Sequence, residues 1–288
     1  MEHPILGIFI KITLFTLMLA LGVGQSFEHL RSLWSRPGPL LRSLLAVLVA
    51  FPLLVIILLR LFNLPPEVVT GLIVLAAAPG APLTSKRTAM AGGNPIYSAS
   101  LQLTLASLAI LTTPIVLSIL YAFFQLDIEK IRIFEVAKQV ALVQFLPIGI
   151  GVLIQKIRPN FAAIISKPLG ILANVLFFVL VGVLLFPAIK LVLQVGAIPI
   201  VAIAILVAAS LAIGYFLGHP SLHRVSALAL DERSALAVAT IARNLGLAVL
   251  IANVSDVQKA VLPTLLAYTL VGALVAIPFS LWSKRQLN

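Results

Sequence analysis

Residues 76–102, AAAPGAPLTSKRTAMAGGNPIYSASLQ, interrupt an otherwise apolar chain and decide how the fold is interpreted. The stretch begins inside an apolar run and meets a proline- and glycine-rich break at 79–82. Polar and basic side chains follow in succession: Thr84, Ser85, Lys86 and Arg87. After the turn at 92–94, a new apolar helix begins, with Ser98 and Gln102 on one face because they are four residues apart. We interpret this stretch as one half of a binding site inside a membrane protein.

The composition is that of an integral membrane protein. Of the 288 residues, 61% are hydrophobic and 10% are charged, and the mean hydropathy is +1.16. A soluble domain needs more charge on its surface, whereas repeated apolar runs of roughly 20 residues are typical of membrane helices. The net charge of +11 does not indicate nucleic-acid binding, because Lys and Arg lie mostly in short connections that face lipid headgroups. There is no cysteine, which excludes disulfides and thiolate metal sites.

Hydropathy predicts an all-α membrane protein with one transmembrane domain over residues 1–288. The first apolar segment lacks the basic leader of a signal peptide, so we expect it to remain as a span. Basic residues number ten in connections on one side and six on the other, which predicts an outside N-terminus and a cytoplasmic C-terminus in a bacterial inner membrane. The nine predicted spans are 4–24, 41–62, 67–92, 95–124, 134–157, 164–191, 197–217, 232–253 and 257–282.

Two of these spans are interrupted by polar residues and helix breakers. The third is broken near 79–85, and the eighth carries Arg243, Asn244 and Gly246 in mid-run. The two spans are an odd number of crossings apart and therefore run in opposite directions. Paired breaks in two halves of opposite direction are typical of inverted-repeat transporters, which bind substrate and ions at the breaks. The free amides and carbonyls of such breaks survive in a membrane only inside protein or beside a wet cavity.

The basic residues near the breaks are the strongest indication of a ligand. Lys86, Arg87 and Arg243 lie within predicted spans, where each costs about 2.5–3.5 kcal/mol on insertion scales if uncompensated. No Asp or Glu lies in the middle of a span, so we expect the countercharge to be a ligand anion, water or backbone carbonyls. Arg87 has the alternative of extending to the membrane interface. We assign no specific role to three other polar side chains within the spans, which either line a polar interior or join helices: Gln139, Gln144 and Asn174.

Other classes of function have little support in the residues. No nucleophile triad, phosphate-binding loop or metalloprotease motif is present, so no enzyme is predicted. His219 and His223 are four residues apart but lack a third ligand at a recognised spacing, so no metal site is predicted there. The alternatives to a carrier that stay open are an anion channel and a membrane sensor that does not transport.

Two stretches resemble the bile acid:sodium symporter family. The run APGAPLTSKRTAMAGGNPIYSASLQLTLASLAILTTPI at 78–115 is similar to the family's first broken helix and the helix after it. The run ERSALAVATIARNLGLAVLIA at 232–252 is similar to the second broken helix. The resemblance implies a panel domain and a core domain, two helices crossing at their breaks, and alternating access to organic anions driven by sodium. By position it implies the sodium ligands Thr84, Ser85, Ser98, Gln102 and Thr240, and it places Asn244 beside the substrate.

The chain departs from the family pattern at the sodium site. Ala239 stands where the family has a sodium-binding Glu, Arg243 replaces the Gln of its Gln-Asn pair, and the span 41–62 contains no Gln. Hard cations need oxygen ligands and negative charge. We therefore hypothesise that Arg243, with Lys86, takes the place of sodium and that transport is independent of sodium or coupled to protons or exchange. The expected substrate is a small carboxylate, sulfonate or bile-acid-like anion, and Na⁺ is the sole candidate cofactor.

Overall fold

The computed structural model describes residues 4–25, 27–126, 132–220 and 227–287, and its regular structure there is helical. Seven of the described helices are long and apolar enough to cross a membrane, so the predicted all-α membrane fold is confirmed. The helices are α1 (Pro4–Gly24), α2 (Phe27–Trp34), α3 (Pro37–Leu61), α4 (Pro66–Ala76), α5 (Thr84–Met90), α6 (Pro95–Phe123), α7 (Ile133–Ile157), α8 (Pro159–Gln194), α9 (Ala197–Leu217), α10 (Leu230–Ile241), α11 (Leu245–Val254) and α12 (Gln258–Leu287).

Each interrupted span is a pair of short helices. The first pair is α4 and α5, of 11 and 7 residues, and the second is α10 and α11, of 12 and 10 residues. None of the four reaches the roughly 20 residues that a single crossing needs. The breaks lie where the prolines, glycines and polar residues predict them.

Helix boundaries differ from the sequence-based ones where a proline lies in the first turn. The second predicted span begins at Pro37 instead of residue 41, and the sixth begins at Pro159 instead of residue 164. Proline fits the first turn because the amide that it lacks has no helical partner there. The short helix α2 was not predicted. It buries Leu33 and leaves Trp34 half exposed, as an amphipathic helix at a membrane edge does.

The helices pack in two groups that meet around the breaks. α1 packs along α7 and α8. We call these three helices the outer layer. The second group contains α3, α6, α9 and α12 together with both broken pairs. Contacts of α7 with α6 and α11, and of α8 with α12, join the outer layer to this second group. The breaks therefore lie close to the boundary between the two groups.

Two long helices carry a π-helical stretch beside a proline. In α3 it spans Leu45–Ala50 and precedes Pro52, and in α7 it spans Ala141–Phe145 and precedes Pro147. Proline removes one backbone donor and crowds the carbonyl four residues earlier, so the preceding turn widens. Both wide turns supply groups to the site described below.

An ion pair fixes the start of α10 against the start of α3. Arg36 precedes α3, and its Nη2 donates to Glu232 Oε2 at 3.0 Å. The same carboxylate oxygen accepts a hydrogen bond from the Ala229 N–H at 3.1 Å, which caps α10. The hydrogen bond with Glu232 raises the pKa of Arg36 above its ordinary value.

A candidate anion site at the crossing of two broken helices

The two breaks meet and hydrogen-bond to each other. Pro79 and Arg243 form an antiparallel bridge. On either side of it, the Asn244 N–H donates to the Ala78 carbonyl at 2.9 Å and the Ala81 N–H donates to the Ala242 carbonyl at 3.3 Å. Each break thus satisfies part of the backbone that the other leaves free, as irregular backbone inside a membrane requires. We call this bridge, with its flanking residues 78–81 and 242–244, the crossing.

Gly80 lets the first break turn back toward the second. Its φ is 77°, in the left-handed region that side chains with a Cβ rarely adopt. A Cβ at this position would lie 3.7 Å from the Gln102 carbonyl oxygen of α6. The first break therefore runs directly along the polar part of α6.

Arg243 donates a hydrogen bond to a backbone carbonyl that has no donor within the π-helical stretch of α3. There the Phe51 N–H donates to Ala46, one residue beyond its α-helical partner, and Pro52 has no N–H. The Val47 carbonyl consequently has no helical donor. The Arg243 Nη2 donates to it at 3.2 Å.

The same guanidinium also closes the end of α10. Nη2 of Arg243 donates to the Thr240 carbonyl at 2.6 Å. Thr240 belongs to the last turn of α10, whose carbonyls lack helical donors and carry the negative end of the helix dipole. The guanidinium carbon lies 3.6 Å from the centroid of the Phe51 ring, and Arg243 is 6% exposed. Backbone carbonyls and an aromatic face thus partly compensate this buried charge.

No described carboxylate neutralises Arg243. In the part of the chain that the structure describes, its Nε and Nη1 atoms are buried and have no acceptor in hydrogen-bond geometry, and the Tyr268 hydroxyl is the neighbouring polar side-chain group. Taking a charge out of water costs several kcal/mol, which carbonyl contacts offset only in part. Charged N–H donors bind carboxylate and sulfonate oxygens strongly, and Arg243 keeps two such nitrogens that the protein does not use.

A small cavity adjoins the crossing between the two helix groups. It has a volume of about 30 Å³, and its walls include Arg87, Arg243, Tyr268 on α12 and Phe177 on α8. A water molecule needs about 10–15 Å³ by this measure, so the space suits a few waters. The site is closed to an organic anion in this state. Tyr268 also donates its hydroxyl to the Ile241 carbonyl at 2.9 Å, a second contact with the end of α10.

Of the adjacent basic residues on α5, Arg87 and not Lys86 lines the cavity. Lys86 is exposed, whereas Arg87 is half-buried against the crossing. Successive residues of a helix point about 100° apart, and the phase of α5 turns Arg87 toward the cavity and Lys86 away from it. The sequence alone did not distinguish the two.

Asn244 is buried and makes contacts in two directions. Its Oδ1 accepts from the Leu247 N–H at 3.1 Å, which caps α11. Its Nδ2 lies 3.4 Å from Gln144 Oε1 in the π-helical stretch of α7. Gln144 Nε2 donates in turn to the Ala106 carbonyl of α6 at 2.8 Å.

Four of the five predicted ion ligands lie on α5 and α6, which pack against each other, and three of the four are buried: Thr84, Ser98 and Gln102. Ser98 is buried and accepts a hydrogen bond from the Thr88 hydroxyl at 2.9 Å. Gln102 is 1% exposed, and neither its amide nitrogen nor its amide oxygen has a partner among the described residues. Thr84 is buried and donates its hydroxyl to the Ala81 carbonyl.

The remaining two predicted ligands have different surroundings. Ser85 is half-buried on α5. Thr240 donates its hydroxyl to the Leu236 carbonyl at 2.8 Å, and a Cβ at Gly214 of α9 would lie 2.5 Å from the Thr240 oxygen. Its side chain therefore packs against α9, and Gly214 is required by that close approach.

Some contributors to the crossing were absent from the predicted set. Arg87, Gln144 and the Val47 carbonyl are the main ones. Pro52 in the middle of an apolar span was the available signal for a free carbonyl in α3. Of the histidine pair, His223 lies outside the described residues, and no group of three His, Asp or Glu in the described ranges could hold a metal.

Comparison with known proteins agrees with this architecture. Residues 11–197 match the model of the sodium bile acid symporter family. The chain is 26% identical to the P3 protein of Homo sapiens over 168 residues. This aligned region covers 58% of the chain and 35% of the human protein. The chain thus spans about a third of the length of that relative. The family match covers well over half of the sequence, and the chain belongs to the sodium bile acid symporter family, whose members are membrane transporters and not enzymes.

Proposed function

We propose that this protein is a secondary transporter that carries a small organic anion across the membrane by alternating access. The observation that carries the proposal is the buried Arg243 guanidinium at the crossing, with two unused donor nitrogens and no described carboxylate partner. A carboxylate or sulfonate oxygen accepts a charge-assisted hydrogen bond from Nη1 or Nε, the nitrogens that the protein leaves unused, while Nη2 stays on the backbone carbonyls. Arg87 adds a second positive charge to the same cavity. Asn244 contributes a polar amide beside them.

The fixed charge of Arg243 takes the place of a sodium ion in this proposal. A cation at the end of α10 stabilises free carbonyls there, and the guanidinium already donates to those of Thr240 and Val47. Ala239 supplies no negative charge to attract a mobile cation. Transport is then independent of sodium, or coupled to protons or anion exchange. Gln102, with both amide atoms unpaired, is the remaining polar group for water or an ion.

The boundary between the helix groups supplies the route. The outer layer of α1, α7 and α8 corresponds to the panel, and the group that contains the crossing corresponds to the core. The cavity has walls from both groups, so a relative movement enlarges it toward one side of the membrane at a time. We assign the N-terminus to the outside and the C-terminus to the cytoplasm of a bacterial inner membrane, from the distribution of basic residues.

Counterflow in proteoliposomes tests the proposal. Vesicles that contain the purified protein are loaded with unlabelled cholate, pyruvate or methanesulfonate, and uptake of the same labelled anion is measured. A carrier gives saturable uptake that internal anion accelerates. A channel gives electrical current without counterflow. Absence of saturable, trans-stimulated uptake for all three anions contradicts the proposal.

A further inference from the structure

Gln144 joins the outer layer to the crossing through its side chain. It is 1% exposed and lies on α7, yet both of its hydrogen bonds go to the other helix group. Its amide nitrogen donates to the Ala106 carbonyl of α6 at 2.8 Å, and its amide oxygen accepts from Asn244 at 3.4 Å. A purely local role would instead give bonds within α7, as Asn174 makes within α8 to the Gly170 carbonyl.

The backbone around Gln144 is unusual at this residue. It lies inside the π-helical stretch Ala141–Phe145, where the Leu146 N–H donates to Ala141, and Pro147 follows. A π-helical turn is less stable than an α-helical one and is frequent at functional sites. The wide turn occurs where a side chain of α7 contacts the second break.

Because Gln144 contacts Asn244, it influences the orientation of an amide that belongs to the crossing. Asn244 caps α11 through Oδ1 and has only Nδ2 left to orient toward a ligand. In this closed structure, Gln144 Oε1 accepts one of the two N–H bonds of that Nδ2 and thereby fixes the orientation of the amide. Separation of the two helix groups would break this bond and release both N–H bonds of Nδ2.

We propose that Gln144 is a positioning residue that holds the closed state and sets the orientation of Asn244. This inference rests on the proposed function, because it assigns a gating contact to the same site. Each bond that exists only in the closed state favours it by roughly fivefold, the centre of the range for a net neutral hydrogen bond. Loss of both bonds therefore shifts the balance toward open states by at least about tenfold.

The test uses the Gln144→Met variant, which keeps the side-chain length and removes both bonds. Because the chain has no cysteine, a reporter Thr269→Cys at the cavity wall is the single thiol. Its reaction rate with a membrane-impermeant thiosulfonate is measured on vesicles, with the reagent on one side or the other. Gln139→Met, five residues earlier on the same helix, is the matched control.

We expect Gln144→Met to raise labelling of the reporter by at least about tenfold from one side, and Gln139→Met to leave it unchanged. In cholate counterflow, Gln144→Met is expected to change KM and kcat by different factors, which a general packing defect would not do. Gln144→Glu keeps an acceptor for Asn244 but loses the amide donor, and we expect an intermediate rate. If Gln144→Met does not fold, Gln144→Glu is compared with wild type instead.

Unchanged labelling in folded Gln144→Met, or equal effects in Gln139→Met, overturns the inference. The labelling assay does not depend on transport. A protein that transports no anion but shows the labelling shift contradicts the proposed function and leaves the contact at Gln144 supported.

Discussion

Replacement of Arg243 by Gln separates a role in ligand binding from a role in stability. The change removes the hydrogen bonds to the Val47 and Thr240 carbonyls, each worth about 1.5–3 kcal/mol for a charged donor. It also removes the contact with the Phe51 ring, worth about 0.5–2 kcal/mol. Together these favourable contacts amount to about 4–8 kcal/mol.

The opposing quantity is the cost of burying the guanidinium. Its desolvation costs several kcal/mol, and no described carboxylate offsets it. Gln is neutral, so the desolvation cost is lost together with the favourable contacts. The free energy of unfolding of Arg243→Gln should therefore stay within about 2 kcal/mol of the wild-type value.

Anion transport should respond very differently. If Arg243 binds a carboxylate through a charge-assisted hydrogen bond from Nη1 or Nε, its loss removes about 1.5–3 kcal/mol of binding, or roughly ten- to a hundredfold in kcat/KM. The assay combines thermal unfolding in detergent with cholate and pyruvate counterflow on the same preparation. Near-normal counterflow in Arg243→Gln refutes the assignment. A large loss of stability with unchanged kcat/KM in the surviving protein shows that the residue is structural.

Three further outcomes follow from the geometry. Arg87→Gln should raise the KM for cholate by about tenfold, the value of one charged hydrogen bond, whereas exposed Lys86→Gln should leave KM unchanged; equal effects contradict the assignment of the cavity wall. Glu232→Gln should lower the free energy of unfolding by about 1–3 kcal/mol, since Arg36 loses its charged partner; an unchanged Tm contradicts this. Pro52→Ala restores an N–H that competes for the Val47 carbonyl, so counterflow should fall while Tm is kept or raised; unaltered counterflow with a raised Tm argues against a role for that free carbonyl.

Much of the fold could be predicted from the sequence because a membrane leaves few choices for the backbone. Apolar length identified the long helices, and the helix breakers after residue 78 and around Arg243 located both interruptions. The predicted starts of the second and sixth spans lie too late in the sequence, because Pro37 and Pro159 extend those helices into polar sequence. The short helix α2 was missed because eight residues give too weak a periodic signal.

The candidate site was predicted only in part, because its decisive contacts are between distant segments. The sequence indicated that Arg243 needed compensation and named backbone carbonyls among the choices. It did not indicate which carbonyls, since the free one at Val47 depends on the π-helical register before Pro52. The direction of Arg87 relative to Lys86 depends on the phase of α5, and the contact of Gln144 with Asn244 depends on the packing of α7 against α11.

The dependence of wild-type transport on sodium tests the central claim most directly. Initial rates of cholate and pyruvate counterflow are measured in proteoliposomes in sodium buffer and in choline buffer of equal ionic strength. If the Arg243 guanidinium fills the role of the cation, transport does not need bound sodium. The two rates should then agree within about a factor of two, because replacing sodium by choline removes no ligand of the protein. The double variant Ala239→Glu with Arg243→Gln should make transport depend on sodium. Strict sodium dependence of the wild-type protein would contradict the account.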